Sequence, residues 1–440
     1  MNLRKPILLI LIFLGLCAIG VSAYLQYGKP YMLEVEVQKQ DEMRIADLGA
    51  LDTALQTILT LNATTTLGNA NTVYISIPSA NPDCSDLELP SLSDGWSYHC
   101  APSPALTNTD GTGWLPFAVD IATLPIDPIN NPDTLNYYSF VTDSTSLIAS
   151  TSPSVASSTE ASTSTKKNSK VATTTATSTV EVSTTTQYVL TAVLDSKKYL
   201  TEKAQTDNGT DPIRYELGSP NSHSSSLWAQ AQGLIGYWPI NEGSGSLIND
   251  KSQYRNSAKL KNIQEWVRHD LRLSGSNFIV VNNNEILDKI GKENFNYTIL
   301  ASFKSDVKKD QSIMEKWVGT AYPFSLRGPN PEIRFSVYDG ERNPTVVSHQ
   351  EYSDSQWHQV TAGRNTREHF IFMYIDGKLI GKSLDDTADD ISNSGAFPIG
   401  ARYTNGQNSF DGFIKDVIIF NRILTSAEIM RLYLSLLADI

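Results

Sequence analysis

The chain has few of the residue types on which most enzymes and metal proteins depend. Its 440 residues include only three cysteines and six histidines. The histidines are dispersed, and no zinc-protease, P-loop or paired-cysteine motif occurs. Basic residues are also scattered, with no run longer than Lys166-Lys167. With a formal net charge of -12 and a pI near 5.0, the chain is not expected to bind nucleic acid or to adhere to anionic membranes by charge.

An uncharged apolar segment, Ile7–Leu25, lies near the N-terminus. As a helix it is long enough to cross the hydrocarbon core of a bilayer, and it follows Arg4 and Lys5. Because basic residues stay on the cytoplasmic side, residues 1–27 are predicted to be a single-pass membrane anchor with a cytoplasmic N-terminus. The bulk of the chain would then be extracytoplasmic, at the cell surface. The alternative is a cleaved secretory signal that ends at Val21-Ser22-Ala23.

The cysteines bear on the same question of compartment. Cys17 lies inside the apolar segment, which leaves Cys84 and Cys100 as a pair in an otherwise polar region. Exported proteins fold under oxidising conditions, so we predict a disulfide between Cys84 and Cys100. Two free thiols are the alternative.

A helical pattern begins after Pro30. Apolar residues recur there at intervals of three and four, which places them on one stripe of a helix. The stripe consists of Ile45, Leu48, Leu51, Leu55, Ile58 and Leu59. Asn62 and the threonines that follow it favour the end of the helix at this point. We therefore expect one long helix that begins in the membrane segment and ends near Leu61.

Four segments within residues 28–217 share a family pattern. Asp41–Leu48 and Leu51–Leu55 lie in the predicted helix, and Asp110–Pro116 and Leu124–Asn131 follow it. Together they resemble bacterial type IV pilins and type II secretion pseudopilins. The resemblance implies a pilin-like α+β head, with a small antiparallel sheet packed on the helix, and other pilin-like subunits as partners. The family's Gly-Phe-Thr-Leu-Ile-Glu processing site is absent, which favours a minor component over a major pilin.

Residues 142–186 are dominated by Ser, Thr, Ala and Val and contain no aromatic residue. Such a segment cannot bury enough apolar surface to offset the entropy lost on ordering, so we predict a disordered loop. Segments that suit strands, 137–141 and 188–194, flank it. The loop is therefore predicted to be an insertion in one hairpin of the head, and the interdomain linker is placed at 218–229.

Beyond residue 230, short strands alternate with turns, which favours a two-sheet sandwich over a helical fold. Asp376-Gly377 predicts a hairpin turn because both residues tolerate positive φ. Thr425–Glu428 has the pattern of a capping box at the start of a helix. The predicted strands are 234–239, 278–281, 297–303, 333–337, 359–362, 370–375 and 413–420.

Several motifs follow one another in this region in a characteristic order. They are Gly236–Pro239 with Asn241–Gly245, then Trp357–Val360, Tyr374–Lys378, Phe410–Val417 and Asn421–Ile429. This order resembles the laminin-G-like jelly roll of the concanavalin A-like lectins. The resemblance covers about Leu234–Tyr433. It implies that residues 230–440 form an all-β two-sheet jelly-roll sandwich, a module that usually binds ligands. We expect Trp238, Trp357 and Tyr374 to pack in the core or at its edge and not to act as platforms for sugar rings.

Many members of this superfamily carry a calcium ion near one edge of the sandwich. Ca2+ takes six to eight oxygen ligands, mostly carboxylates and carbonyls. By this resemblance, Asp250 and Asp416 are candidate ligands of a structural calcium ion, with Glu242 nearby. Turn capping is the alternative role for these three carboxylates.

Loops at one end of a lectin-like sandwich are where ligand contacts are expected. Tyr403, Asn405 and Asn408 are the candidate binding residues, together with Trp317 and Tyr322. Aromatic faces can stack on sugar rings, and side-chain amides can hydrogen-bond sugar hydroxyls.

A catalytic role is not expected. Glucanases of this fold carry a Glu-x-Asp-x-x-Glu pattern that points carboxylates into one cleft, and no such run occurs between Leu234 and Ile440. His358 matches a structural position. The predicted function is therefore recognition or adhesion at the cell surface, with a glycan or a surface protein as partner. The alternatives are a structural minor pilin or pseudopilin, with the sandwich as tip or spacer, and a degenerate glycoside hydrolase.

Overall fold

The computed structural model describes residues 29–61, 66–102, 113–121, 123–143, 147–149, 182–184, 186–219, 224–388 and 390–436. The predicted anchor at 1–27, with its cleavage motif and Cys17, lies outside these residues, as does most of the Ser/Thr-rich loop at 142–186. In the ranges just given, we find no helix that combines the length and apolar character needed to span a bilayer.

The N-terminal half forms a head in which a five-stranded sheet lies between helices. Its strand order is β2-β1-β3-β6-β7, and all pairs are antiparallel except the parallel pair β1–β2. A separate pair, β4–β5, lies beside it. The elements are α1 (Lys29–Leu61), β1 (Thr72–Ile75), β2 (Ser97–Cys100), β3 (Ser139–Asp143), β4 (Leu147–Ala149), β5 (Val182–Thr184), β6 (Gln187–Val193), α2 (Lys197–Tyr199), β7 (Arg214–Gly218) and α3 (Ser224–Gln232).

The predicted apolar stripe holds α1 against one face of this sheet. Leu48, Leu51 and Leu55 are fully buried in a cluster that includes Phe140 and Tyr188 of the sheet. The helix ends at Leu61, as the sequence indicated. The pairing of β3 with β6 also confirms that the strands on either side of the Ser/Thr-rich loop form one hairpin.

A buried ion cluster joins α1 to distant parts of the head. The guanidinium group of Arg44 donates to Asp41 at 2.7 Å, to Asp127 at 2.7 and 3.2 Å, and to Asp195 at 2.7 Å. Arg44, Asp41 and Asp127 have no exposed side-chain surface. Burying these charges is tolerated because each is paired and hydrogen-bonded.

Helix α3 covers the other face of the sheet. It occupies part of the segment 218–229, where the sequence predicted a linker. Leu227, Trp228 and Ala231 are buried against β3 and β6 residues. The indole of Trp228 also donates to Asp211 at 2.9 Å. The segment is polar in composition, but its few apolar residues fall on one side of a helix, so it packs as part of the head.

The predicted disulfide is present. Cys84 and Cys100 are bonded, with their Cα atoms 5.5 Å apart. The bond ties the loop after β1 to the end of β2, and both cysteines are buried.

The C-terminal half is a sandwich of two eight-stranded sheets. Sheet I has the order β18-β17-β16-β15-β22-β13-β10-β9, and sheet II has the order β11-β12-β23-β14-β19-β20-β21 with β8 also paired to β23. The strands are β8 (Leu234–Trp238), β9 (Leu247–Ile248), β10 (Ala258–Lys261), β11 (Trp266–Val267), β12 (Asp270–Ser274), β13 (Phe278–Val281), β14 (Tyr297–Lys304), β15 (Ser312–Val318), β16 (Ala321–Arg327), β17 (Arg334–Tyr338), β18 (Thr345–Val347), β19 (His358–Asn365), β20 (Phe370–Ile375), β21 (Lys378–Leu384), β22 (Phe397–Ile399) and β23 (Asp411–Phe420), followed by helix α4 (Ser426–Leu436).

One core lies between the two sheets. The alternate residues Tyr297, Ile299, Ala301 and Phe303 of β14 all point into it, together with Trp238. This alternation is the expected pattern for a sheet with one face on the core. Each strand predicted from the sequence is present, with ends that differ by a few residues.

Two local predictions also hold in the sandwich. Asp376 and Gly377 have φ of 50° and 71° and join β20 to β21. Thr425 and Glu428 form the capping box of α4, in which a Glu428 oxygen accepts from Thr425 N at 2.8 Å and the Thr425 hydroxyl accepts from Glu428 N at 3.3 Å.

Arg422 connects the sandwich to the head. It is 4% exposed, and it donates to Glu428 at 2.6 and 3.1 Å and to the backbone and side chain of Gln232 at 2.6 and 2.8 Å. Gln232 ends helix α3, so one buried guanidinium group bridges α3 and α4. The two domains thus meet through satisfied charged contacts.

Candidate ligand-binding face

Strand pairing within sheet I gathers aromatic side chains from three separate stretches of sequence. Met314 of β15 pairs with Ile399 of β22, which brings the loop after β22 beside the first residues of β15. On β17, Tyr338 alternates with the core residue Val337, so its ring lies on the side of the sheet away from the core. We call the set Trp317, Tyr322, Tyr338, Arg402 and Tyr403 the aromatic face.

The rings of the aromatic face contact one another in a row. The ring centroid of Trp317 lies 4.5 Å from that of Tyr322 and 5.6 Å from that of Tyr403, and Tyr322 lies 5.5 Å from Tyr338. The guanidinium group of Arg402 lies 4.1 Å from the Trp317 ring centroid, within the range of a cation–π contact. Trp317, Tyr338, Arg402 and Tyr403 are all half-buried, so the row remains accessible.

Hairpin and loop geometry hold these side chains in place. The β15–β16 hairpin turns at Gly319, which has a φ of 74°, and the Trp317 indole donates to the Gly319 carbonyl at 3.0 Å. In the loop after β22, Arg402 N donates to the Gln407 carbonyl at 2.8 Å. The aromatic face therefore rests on interior strands of sheet I and on a closed loop.

A buried carboxylate lies beneath the row. Glu315 of β15 has no exposed side-chain surface and accepts hydrogen bonds from Ser312 and from Ser325, the latter at 2.9 Å. Its oxygens lie 3.7 Å from Arg327 Nε and 3.9 Å from Arg402 Nε. Burial raises the pKa of the Glu315 carboxyl group, and the serine hydroxyls and arginines oppose this effect. The carboxylate thus lies within ion-pair distance of the guanidinium group that contacts the Trp317 ring.

The structure brings together only some of the predicted ligand-binding residues. Trp317, Tyr322 and Tyr403 converge, as their roles require. Asn405 accepts from Gln407 N at 3.2 Å within its own loop, and Asn408 donates to Asp310 at 2.6 Å, so neither side chain belongs to the row of rings.

Sequence reasoning missed two members of the aromatic face, Arg402 and Tyr338. Arg402 directly precedes the predicted Tyr403. Tyr338 could have been found from its alternation with the apolar residues Phe335 and Val337, which marks it as facing away from the core.

The carboxylates predicted to bind calcium do not form a ligand set. Asp250 is 5% exposed, and its two oxygens accept from Tyr237 N, Ser252 N, the Ser252 hydroxyl and Asn256 N at 2.8–2.9 Å. Chain donors thus fill its acceptor positions. This is the turn-capping role, and it fixes the turn after β9 to strand β8.

The other two predicted ligands have different surroundings. Glu242 accepts from Asn249 N at 2.8 Å through Oε1, and its Oε2 is buried without a hydrogen-bond partner in the described part of the chain. Asp416 lies at an irregular point of β23 with a φ of 51°, and its backbone N donates to Pro239 O at 3.1 Å. Over the described ranges, no group of three or more His, Cys, Asp or Glu side chains is placed to hold a metal ion. The residues present do not fit a calcium site.

His358 is the first residue of β19 and lies between two carboxylates. Its Nδ1 is 2.8 Å from Asp376 and its Nε2 is 3.1 Å from Asp354. Burial lowers the pKa of His358, but Asp376 and Asp354 raise it by more, so the net pKa is above the usual value. The ring also packs on Phe303 and Tyr352. These contacts hold the imidazole at the start of β19.

Comparison with known families supports the C-terminal prediction. Residues 274–430 match the family model described as the concanavalin A-like lectin/glucanases superfamily. The C-terminal domain is therefore a concanavalin A-like domain. The match does not extend to the head, where the pilin-like resemblance stays a prediction. None of the curated proteins matches the chain.

Solved structures share part of this fold. Trypanosoma rangeli sialidase is 21% identical over 46% of this chain and 32% of its own, with a TM-score of 0.36. The binding domain of Paraclostridial Mosquitocidal Protein 1 is 14% identical over 46% of this chain and 52% of its own, with a TM-score of 0.38. Botulinum neurotoxin type C, whose cell entry depends on two ganglioside molecules, is 16% identical over 46% and 51%, also with a TM-score of 0.38. The chain thus spans only a third to a half of the length of these proteins. The sequence identities and TM-scores are too low to transfer a ligand or an activity from them to this chain.

Proposed function

We propose that the chain is an exported binding protein, anchored by Ile7–Leu25, that presents its concanavalin A-like domain to a glycan or a surface protein. The aromatic face is the proposed contact site. The observation that carries this proposal is the convergence of Trp317, Tyr322 and Tyr403, with Arg402, on the accessible side of sheet I.

The chemistry of the aromatic face suits a sugar ring or a polar peptide. Aromatic rings offer apolar surface that is already ordered, so little side-chain entropy is lost when a ligand binds. The Arg402 guanidinium group adds hydrogen-bond donors, and the buried Glu315 carboxylate beside it helps to hold it in position. Rigid aromatic and arginine residues of this kind carry most of the energy of many interfaces.

Binding is favoured over catalysis by the placement of Glu315. The side chain is fully buried below the rings and accepts hydrogen bonds from two serines. A general acid or nucleophile in a glycosidase must reach the glycosidic bond. Glu315 is better placed to support Arg402 than to contact a substrate.

A glycan array probed with the full chain tests the proposal. Trp317→Ala should weaken binding by roughly thirtyfold, since a central aromatic anchor contributes about 2 kcal/mol. Tyr254→Ala is the matched control, because Tyr254 is a 41% exposed aromatic residue outside the aromatic face. Binding that survives Trp317→Ala, or that falls equally with Tyr254→Ala, would exclude the aromatic face as the contact site.

A structural role is the second candidate, and the contacts between head and sandwich favour it. Arg422 joins α3 to α4 through buried hydrogen bonds, so the sandwich is held at a fixed position on the head. A rigid spacer or tip in a pilus-like assembly would need this property. Recovery of the protein in sheared filaments, with no glycan bound on the array, would favour the structural role.

A further inference from the structure

One lysine of the sandwich is completely buried. Lys316 of β15 has no exposed surface. It lies directly opposite Phe324 of β16, and residues directly opposite each other on neighbouring strands share one face of a sheet. Phe324 belongs to the core, so Lys316 lies on the core side of sheet I. Lysine is almost never fully buried unless its charge is paired, and this position therefore requires an explanation.

The Lys316 amino group lies between two loops at one end of sheet I. Its Nζ donates to the carbonyl of Gly395, which precedes β22, at 2.6 Å, and to Oδ1 of Asn283, which follows β13, at 3.2 Å. Both acceptors are neutral. Among the ion pairs within the described ranges, none involves Lys316. In the strand order of sheet I, β22 separates β15 from β13. The contact therefore connects two strands that do not pair with each other.

Burial changes the chemistry of this amine. Removal from water lowers the pKa of Lys316 from 10.5 to about 8, and the charge of Asp288 opposes this effect. A larger fraction of the side chain is therefore a neutral amine near neutral pH than in an exposed lysine. A neutral lysine amine has a free lone pair and acts as a nucleophile. Lys316 is thus a buried nucleophile in contact with a side-chain amide.

The contact places this nucleophile close to the amide carbon of Asn283. A carbonyl bond is about 1.2 Å long, so Asn283 Cγ lies within roughly 4.4 Å of Lys316 Nζ. Reacting atoms in a near-attack arrangement are about 3–3.5 Å apart, and a shift of about 1 Å would bring the two atoms to that distance. Asn283 is half-buried, which gives a small leaving group a path to solvent.

A carboxylate with an unused oxygen lies near this pair. Asp288 belongs to the 3-10 turn Leu287–Lys289, which follows the loop of Asn283. Its Oδ1 is buried and has no hydrogen-bond partner in the part of the chain that the structure describes. Such an atom is costly to bury. Because the charge of Asp288 also acts on Lys316, Oδ1 is suited to accept a proton that the amine loses.

We propose that Lys316 and Asn283 form an intramolecular isopeptide bond. The lone pair of the neutral Lys316 amine forms a bond from Nζ to Asn283 Cγ, and the bond between Cγ and Nδ2 breaks. One proton passes from Nζ through Asp288 to Nδ2, which leaves as ammonia. One amine and one primary amide thus give one secondary amide and one ammonia, so the reaction needs no oxidant and no cofactor. The bond fastens β15 to the loop after β13 and is independent of the proposed binding function.

Peptide mapping of the full chain by mass spectrometry tests this bond. The loss of ammonia should lower the mass by about 17 Da. Trypsin does not cleave after a lysine whose amine is acylated, so segments 273–289 and 310–327 should appear as one branched peptide. A succinimide at Asn283 has the same mass loss but leaves the two segments unlinked. Cleavage after Lys316, with 273–289 found only as a linear peptide, would overturn the proposal.

Variants assign the roles of the side chains. Lys316→Arg keeps the positive charge but lacks the amine, and it should abolish the branched peptide. Asp288→Asn should lower the linked fraction of freshly expressed protein by at least about tenfold, because the proton acceptor is lost. Lys289→Arg and Asn282→Ala are matched controls, since both residues are exposed and lie in the same segment, and they should leave the branched peptide unchanged.

Circular dichroism verifies that each variant is folded, and the map of the unaltered chain decides the proposal even where a variant does not fold. A branched peptide that persists in Lys316→Arg would show that another amine forms it and would overturn the proposal. An undiminished linked fraction in Asp288→Asn would overturn the role given to this carboxylate.

Discussion

Replacement of Glu428 by alanine tests how the head and the sandwich are joined. Glu428 is 5% exposed and accepts two hydrogen bonds from Arg422, at 2.6 and 3.1 Å. It also accepts from Thr425 N at 2.8 Å in the capping box of α4. Glu428→Ala would leave a buried guanidinium group with Gln232 as its remaining partner.

The expected cost follows from these contacts. Hydrogen bonds to charged groups contribute about 1.5–3 kcal/mol each, and removing one member of a buried ion pair costs about 3–5 kcal/mol. Loss of the helix cap adds about 1 kcal/mol. Because these contributions overlap, we expect Glu428→Ala to lower the free energy of unfolding by about 4 kcal/mol.

Urea denaturation of the full chain, followed by tryptophan fluorescence and circular dichroism, measures this change. Glu428→Gln keeps a hydrogen-bond acceptor, so it should lower the free energy of unfolding by about half as much as Glu428→Ala. The double variant Arg422→Met/Glu428→Leu should cost less than Glu428→Ala, because no unpaired charge is left buried. A loss below about 1 kcal/mol for Glu428→Ala, or a larger loss for the double variant, would refute the account of this pair.

Three further predictions concern other parts of the chain. Asp250→Asn should lower the melting temperature, because charged hydrogen bonds of the turn are lost. A calcium chelator should leave the melting temperature of the unaltered chain unchanged. A drop caused by the chelator would contradict our assignment of Asp250 to turn capping. Burial raises the pKa of Asp207 from 3.8 to about 7, so the folded state retains a proton that the unfolded state releases between these values. Stability should therefore rise as pH falls from 8 to 5, and Asp207→Asn should reduce this dependence in denaturation curves. The free energy of unfolding should fall by about 3 kcal/mol when the Cys84–Cys100 disulfide is reduced or when both cysteines are replaced by serine, given their sequence separation of 16. An unchanged midpoint of urea denaturation would argue against a stabilising disulfide.

Features that depend on neighbouring residues were predictable from the sequence. The stripe on α1, the Asp376-Gly377 turn and the Thr425–Glu428 capping box all follow from short-range spacing, and the structure contains each of them. Strand β14 was also predictable, since its alternation reflects a sheet with one buried face.

The missed features depend on partners that are distant in sequence. Polar composition suggested a linker where α3 forms, because the sequence does not reveal that Trp228 packs against the head sheet. The calcium hypothesis depends on distant partners in the same way. Asp250 has a residue type that suits both a metal ligand and a turn cap, and only the fold shows that four chain donors surround it.

The candidate binding sites show the same division. Tyr403 and Trp317 were recognisable as candidate contact residues, but they are brought together by the pairing of β22 with β15. The docking of the sandwich on the head depends on Arg431 and Arg422, whose partners on the head lie 297 and 190 residues away in the sequence. The sequence by itself determined helix α1, the strands with clear alternation and the class of the C-terminal domain, because local periodicity and motif order encode them. Only the tertiary structure decided which side chains share a surface, since long-range strand pairing and domain docking set those distances.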